Sequence, residues 1–322
     1  MSPAFPDSFN PLFSFYDLEM RKRMSDLYDN RLQSHLEKIE HALPGYLPAE
    51  NGALQKGLFD AMAYACAGGG KRLRPVLVLE FCRLCGGNPD RAMPFACALE
   101  MIHSYSLAHD DLPCMDNSPL RRGKPSVHAA FGEDMALLAG DGLLTRAFEI
   151  MLSPESRHGL PAEAVLNAAS TLADAAGAYG MVGGQVVDLQ SEGKAVGLPV
   201  LEQLQRGKTA ALMIAACVMG CYLGGGDGKA LAAARQYGEE LGLCFQIVDD
   251  ILDVTATAEE LGKPVGGDQV HEKTTYVSLL GLEGATHLAE ERTEKAVGAL
   301  AGFGGEAESL RALARSLLLR KS

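Results

Sequence analysis

Positive charge is scarce in this sequence. Over 322 residues, 29 lysines and arginines face 41 aspartates and glutamates, leaving a formal charge of −12 at neutral pH. A chain of that sign is repelled by a phosphate backbone, so nucleic acid is not expected as a partner. Long uncharged apolar runs are missing too. None reaches the roughly 20 residues that a membrane-crossing helix requires, so no membrane span is expected. The first twenty residues, MSPAFPDSFNPLFSFYDLEM, lack both a basic start and an unbroken apolar core. That is not the pattern of a signal peptide, and a cytoplasmic protein is expected.

Tryptophan is absent, yet with 47% hydrophobic and 22% charged residues the composition is that of an ordinary globular chain. Collagen-like and disordered readings are excluded. A disulfide framework is not needed either, because a chain of this length can bury roughly three quarters of its unfolded surface. Cys82 and Cys85 form a lone CxxC, with no second Cys or Cys/His pair at a matching spacing for zinc. The eight cysteines are expected to be packed, reduced thiols.

Apolar residues recur at helical spacing almost throughout. Phe95, Ala98, Leu99, Ile102 and Tyr105 fall on one stripe, for example. The pattern predicts helices near 53–67, 73–86, 93–112, 134–152, 160–191, 200–224, 228–254, 274–281, 285–302 and 306–320, separated by punctuation such as GGNPD and LGGGDG. No Ser/Pro-rich linker divides the chain. It is read as one all-α domain, a single large bundle of ten or more helices, behind an N-terminal lead of roughly forty residues. The runs 160–191 and 228–254 carry few charges and are expected to be buried nearly all round, at the centre of the bundle.

Two aspartate clusters follow apolar helices: Asp110, Asp111 and Asp116 in DDLPCMD, and Asp249, Asp250 and Asp253 in DDILD. Carboxylates at a helix C-terminus oppose the macrodipole, so something positive must compensate. Asp249 and Asp253 share a face with Gln246, and Pro113 disfavours helix at Leu112, letting Asp116 return toward Asp110. Hard oxygen donors of this kind suit Mg²⁺ that also holds phosphate; a lone aspartate pair would be a solvated helix end. Islands of positive charge accompany the clusters: GGGKRLRP with Lys71 and Arg74, RRGK with Arg121 and Arg122, and Lys208-Thr209. Arginine pairs and glycine-exposed amides match phosphate oxygens. The glycine run could equally be a helix-ending turn. His103, seven residues before Asp110, shares its face and is either a cavity group or a satisfied core residue.

The run HSYSLAHDDLPCMDNSPLRRGKPSVH, with FQIVDDILD, GGKRLRP, GKT, GMVGGQVVDL and the distal Lys263 and Lys273, resembles the trans-polyprenyl diphosphate synthases, and among them the bacterial farnesyl diphosphate synthases. The likeness covers about residues 28–320; residues 1–27 have no counterpart, and 28–322 form the synthase domain. The resemblance implies an isoprenoid-synthase bundle around a central cavity, forming a homodimer. It implies that isopentenyl diphosphate is condensed head to tail with dimethylallyl and then geranyl diphosphate. Asp110, Asp116 and Asp249 are expected to hold three Mg²⁺ ions on the allylic diphosphate, with Asp111, Asp250 and Asp253 in the same shell. Arg121, Lys208 and Lys263 should neutralise that diphosphate, and Lys71, Arg74, His103 and Arg122 should hold isopentenyl diphosphate. The Lys208 and Thr209 carbonyls and the Gln246 amide should face the allylic cation, while Lys273 contacts the leaving diphosphate.

No protein nucleophile is required, because ionisation needs only a stabilised leaving group and a dry cavity. The chain departs from the family pattern at Asn117, Ser118 and Pro119, and at Glu272-Lys273-Thr274-Thr275-Tyr276-Val277 in place of a GKSTYP-like run. Product length is expected to be set one turn or slightly more below Asp110, at Ser106 and Tyr105, where a bulky ring leaves space for a C15 product. Tyr105 as a plain core aromatic is the bland alternative. A C20, geranylgeranyl diphosphate synthase, a non-catalytic prenyltransferase-like subunit and a terpene cyclase are the competing functions.

Overall fold

A computed structural model describes residues 29–48, 52–67, 69–255 and 273–318. Almost every segment expected to be helical is helical. Helix α1 spans Asn30–Ala42, started by Asp29, whose carboxylate accepts from the Arg31 and Leu32 amides at 3.0 Å. Leu32, His35, Leu36 and Ile39 give it one buried stripe. Helix α1 therefore occupies part of the forty residues expected to be a lead. Then come α2 (Lys56–Ala67), α3 (Leu73–Leu84) and α4 (Pro89–Asp110), the last with an Asn88 cap and Pro89 in its first turn.

A two-residue hairpin, β1 (Leu120–Arg121) and β2 (Lys124–Pro125), interrupts the helices. Its turn residues Arg122 and Gly123 both have positive φ, 52° and 75°, as a tight hairpin of this twist demands. Next are α5 (Val127–Phe131), α6 (Glu133–Leu152), α7 (Pro154–Arg157), α8 (Ala162–Ala176) and α9 (Met181–Ser191). Helix α10 (Leu198–Gln205) runs through a wider π turn at Arg206–Ala210 into α11 (Ala211–Gly224). The chain continues with α12 (Gly228–Thr255), α13 (Tyr276–Ala299), kinked at Gly281, and α14 (Glu308–Leu318).

Helix α11 is the centre of the bundle and packs against α3, α4, α8 and α12. Leu212, Met213, Val218 and Met219 are fully or almost fully buried there, each large side chain contributing about 1.5–3 kcal/mol. A Cβ at Gly220 would stand 2.5 Å from the Val78 carbonyl oxygen, so glycine is what lets α11 lie against α3. The run Leu198–Gly224 is, among the described residues, long and apolar enough to cross a membrane by length and composition. It carries Glu202, Arg206 and Lys208, and most of it lies inside the bundle.

The run 160–191 departs from expectation. It breaks at Gly177–Gly180 into α8 and α9, and Leu166, Tyr179, Val182, Val186 and Leu189 are exposed. Low charge reported an uncovered outer face there as readily as a buried one. Arg72 ties four elements together. Its guanidinium reaches Glu100 on α4 at 2.5 Å, Glu40 on α1 at 2.7 Å and the Cys66 carbonyl of α2 at 2.7 Å. Breaking a buried pair of this kind costs about 3–5 kcal/mol.

Candidate active site

Helix α4 delivers the first aspartate cluster. After Asp110 the chain turns back, with the Asp116 amide donating to the Asp110 carbonyl at 2.9 Å and the Asn117 amide to the Leu112 carbonyl at 3.1 Å. Asn117 takes a left-handed φ of 48° to allow it. Asp110 and Asp116 are thereby neighbours. Burial pushes the Asp110 carboxyl up to about 6; the Asp116 and Asp111 carboxylates add to the rise, while Lys208 and Arg121 oppose it.

Asp111, expected in the metal shell, is paired with Arg121. It is 2% exposed and receives Arg121 through Nε at 3.2 Å to both oxygens and through Nη2. Each is the other's partner, while 37% of the Arg121 side-chain surface stays exposed. A cleft lined by Tyr64, Ser104, Leu107, Asp111, Arg121 and Lys124 opens beside the pair.

A second, cationic, cluster sits seven residues earlier on α4. Burial holds His103 well below its usual value, and Arg74, Arg122, Arg72 and Arg121 all press it the same way. The imidazole is therefore neutral amid guanidinium groups. Arg74 is pushed down to about 10, chiefly by burial and further by Arg122 against the opposing Glu100, and its Nε has no hydrogen-bond partner. The Arg122 guanidinium bonds the Gly69 carbonyl, and a Cβ at Gly70 would strike it at 2.5 Å. The glycine run is thus the floor under Arg122. Lys71, next to Arg72 in the chain, is half-buried.

Lys208 and Thr209 lie on the π turn, and the glycines of α9 admit that turn. A Cβ at Gly184 would be 2.1 Å from the Lys208 amide nitrogen, so close packing is one job of GMVGGQVVDL. Lys208 Nζ donates to Asp188 at 2.6 Å, and Lys273 Nζ to the same oxygen at 3.4 Å. Burial raises the Asp188 pKa, but Lys208 and Lys273 overcome it and hold the carboxyl below its usual range. Lys273 also faces Glu192 at 3.5 Å. Burial lowers its pKa, and Asp188, Asp116 and Glu192 outweigh that and raise it. Asp188 lies in the GMVGGQVVDL run and is not among the residues expected at the site; no local spacing marks it as the partner of two lysines.

On α12, Asp250, expected in the metal shell, accepts two hydrogen bonds. It is 4% exposed, its Oδ1 accepts from Gln246 Nε2 at 3.1 Å, and its Oδ2 accepts from the Tyr276 amide at 2.8 Å. Gln246 therefore spends its amide nitrogen on Asp250, and its oxygen accepts from the Thr209 hydroxyl at 3.3 Å. Asp249 is half-buried and Asp253 buried. Lys263 lies outside the described residues, as does most of the segment before Lys273.

Among the described residues, no three His, Cys, Asp or Glu side chains converge closely enough to hold an ion alone. Mg²⁺ does not require that, since it keeps several waters and takes one or two carboxylates plus substrate phosphate. The donor set fits: hard oxygens, with Asp110 raised by burial and further by neighbouring acids. Tyr105 is 7% exposed and meets the His109 ring edge to face, centroids 5.8 Å apart. Ser106 donates to the His103 carbonyl at 2.9 Å.

An all-α bundle that sets acidic and basic clusters along one helix is suited to phosphorylated ligands. The chain belongs to the polyprenyl synthetase family, whose model matches residues 55–311. It is 47% identical over 269 residues to the heterodimeric geranylgeranyl pyrophosphate synthase large subunit 1, chloroplastic, of Arabidopsis thaliana, covering 82% of this chain and 72% of that one. It is 46% identical over 254 residues to a farnesyl diphosphate synthase of Geobacillus stearothermophilus, covering 79% and 84%. Among solved structures, an FPP/GFPP synthase from Zymomonas mobilis superposes with a TM-score of 0.78 at 37% identity, over 94% of this chain and 99% of that one. The protein is a prenyltransferase of this family with the isoprenoid-synthase fold.

Proposed function

We propose that the chain is a farnesyl diphosphate synthase, joining isopentenyl diphosphate to dimethylallyl and then geranyl diphosphate and releasing a C15 product. The observation that carries the reading is Tyr105, a bulky ring, nearly buried, on the helix that ends at Asp110. Burial raises the Tyr105 phenol pKa and Asp110 adds to it, which puts ring and carboxylate within electrostatic reach of each other. In this reading Asp110, Asp116 and Asp249 hold Mg²⁺, which when bound with substrate supplies the charge that a departing diphosphate needs. Lys208, Lys273 and Arg121 bind the allylic diphosphate. Lys71, Arg74, His103 and Arg122 bind isopentenyl diphosphate, and the surplus positive charge around neutral His103 supports that assignment. Thr209 and Gln246, already hydrogen-bonded, face the allylic cation.

Exposed Leu137, Leu138, Val182 and Val186 support a homodimer. A second reading, a C20 product, is favoured by plant relatives named geranylgeranyl pyrophosphate synthases. Labelled isopentenyl and dimethylallyl diphosphates with Mg²⁺, followed by sizing of the products, separates the two. The parent should stop at C15, and Tyr105→Ala should move product to C20 and beyond. A parent that makes mainly C20, or a Tyr105→Ala variant that still stops at C15, removes Tyr105 from this role.

A further inference from the structure

Tyr105 cannot stop a growing chain unless its ring is held, and the ring's holder is visible. His109 lies one turn along α4, four residues on, and meets Tyr105 edge to face with 75° between the planes. His109 is itself locked to α6. Its Nε2 lies 3.0 Å from the Leu137 carbonyl oxygen, and since a carbonyl only accepts, Nε2 carries the proton. Three residues further along α6, Gly140 leaves a notch for the imidazole. A Cβ there would stand 2.0 Å from His109 Nε2, 2.4 Å from Cδ2 and 2.7 Å from Cε1. Notch and carbonyl lie on one face of α6, so they form a single seat for one side chain.

We infer that His109 and Gly140 are positioning residues for product length: they fix the ring of Tyr105 and thereby the depth at which the prenyl tail stops. The inference rests on the reading of Tyr105 as that stop. Without the imidazole, the Tyr105 ring loses its edge partner and gains rotamers that swing it out of the tail's path. Adding a methyl group at Gly140 evicts His109 from α6 and reaches the same state from the opposite helix. Neither change alters a group assigned here to a diphosphate.

The test compares the product distributions of the parent, Tyr105→Ala, His109→Ala, His109→Gln and Gly140→Ala, with KM for isopentenyl diphosphate measured in each. The expected result is a several-fold rise in the C20 share for His109→Ala and Gly140→Ala with KM within about twofold of the parent. His109→Gln, whose amide can still donate to the Leu137 carbonyl but offers Tyr105 no ring edge, should fall between His109→Ala and the parent in C15 share. If Tyr105→Ala lengthens the product while His109→Ala leaves it at C15, the positioning role is overturned and the Tyr105 reading stands. If His109→Ala slows turnover with product length unchanged, His109 serves Asp110 instead, which also overturns it. If Tyr105→Ala does not lengthen the product, both fall. Should Gly140→Ala not fold, the two His109 variants decide alone.

Discussion

The backbone amide of Tyr276 donates to Asp250 across 2.8 Å, joining the last turns of α12 to the first turn of α13. The other oxygen of the same carboxylate accepts from Gln246. An aspartate between two donors in this way holds two helices together.

Asp250→Asn should therefore lower stability. The amide presents a donor to one of two donors, leaving a buried group unpaired at about 1–3 kcal/mol. Urea unfolding of Asp110→Asn, run beside it, should show no such loss. Equal destabilisation of the two variants would mean that Asp250 has no structural role of its own.

The Asp110 carboxyl, raised to about 6 from an ordinary 3.8, sets a sign for the metal-free protein. Its charged form is disfavoured by folding, so the protein gains stability as pH falls from 7 through 6 toward 4. The gain is on the order of 3 kcal/mol at most, at about 1.4 kcal/mol per pKa unit. Thermal melting in EDTA across that range should show the slope, and Asp110→Asn should flatten it and melt higher at pH 7. A parent slope of the opposite sign that survives in Asp110→Asn would place the cause in another group.

Asp188 works in the other direction. Its carboxyl is held below the usual range by Lys208 and Lys273, so its contribution is present above about pH 4 and lost as pH falls through its lowered folded value. Asp188→Asn should cost roughly 1–3 kcal/mol at pH 7 and progressively less under acid conditions. Denaturant titrations at pH 7 and pH 3.5 check this.

Arg74→Ala should raise KM for isopentenyl diphosphate about 10- to 100-fold, the worth of one lost charge-assisted contact, and change KM for geranyl diphosphate much less. Equal changes in the two constants would place Arg74 between the substrates.

Chelation should abolish turnover and added Mg²⁺ restore it, because two diphosphates beside Asp110, Asp116 and Asp249 repel one another without divalent cations. Full turnover in excess EDTA would rule that arrangement out.

The helices were legible because the 3.6-residue apolar period is a local property, and α8 and α14 in particular advertise it. The turn that returns Asp116 to Asp110 was legible from Pro113 alone. Pairings between distant elements were not. Arg121 with Asp111 spans ten residues, Lys208 with Asp188 twenty, and Lys273 with Asp188 eighty-five, and nothing in the chain ranks one acid above another as a partner. Asp250 shows the same limit from the other side. Its motif places it with Asp249 and Asp253, yet on a helix with 3.6 residues per turn adjacent positions lie about 100° apart. Asp250 consequently meets Tyr276, a partner that periodicity could not name. Low charge in 160–191 was ambiguous for a similar reason, since an uncovered face and a buried one have the same composition.

Helix α4 bears His103, Tyr105 and Asp110 on one uninterrupted stretch of backbone. Seven residues at 1.5 Å each fix the first and last of these about 10 Å apart along the axis, and a hydrogen-bonded rod does not stretch. On the reading of Tyr105 as the stop, this helix is a graduated rule with its zero at the anchoring acid. Breathing of the surrounding bundle leaves its scale unchanged, and only the placement of a large ring along it selects a mark. Moving such a ring by one turn should change the product by about one five-carbon unit while the charges at the zero end stay where they are.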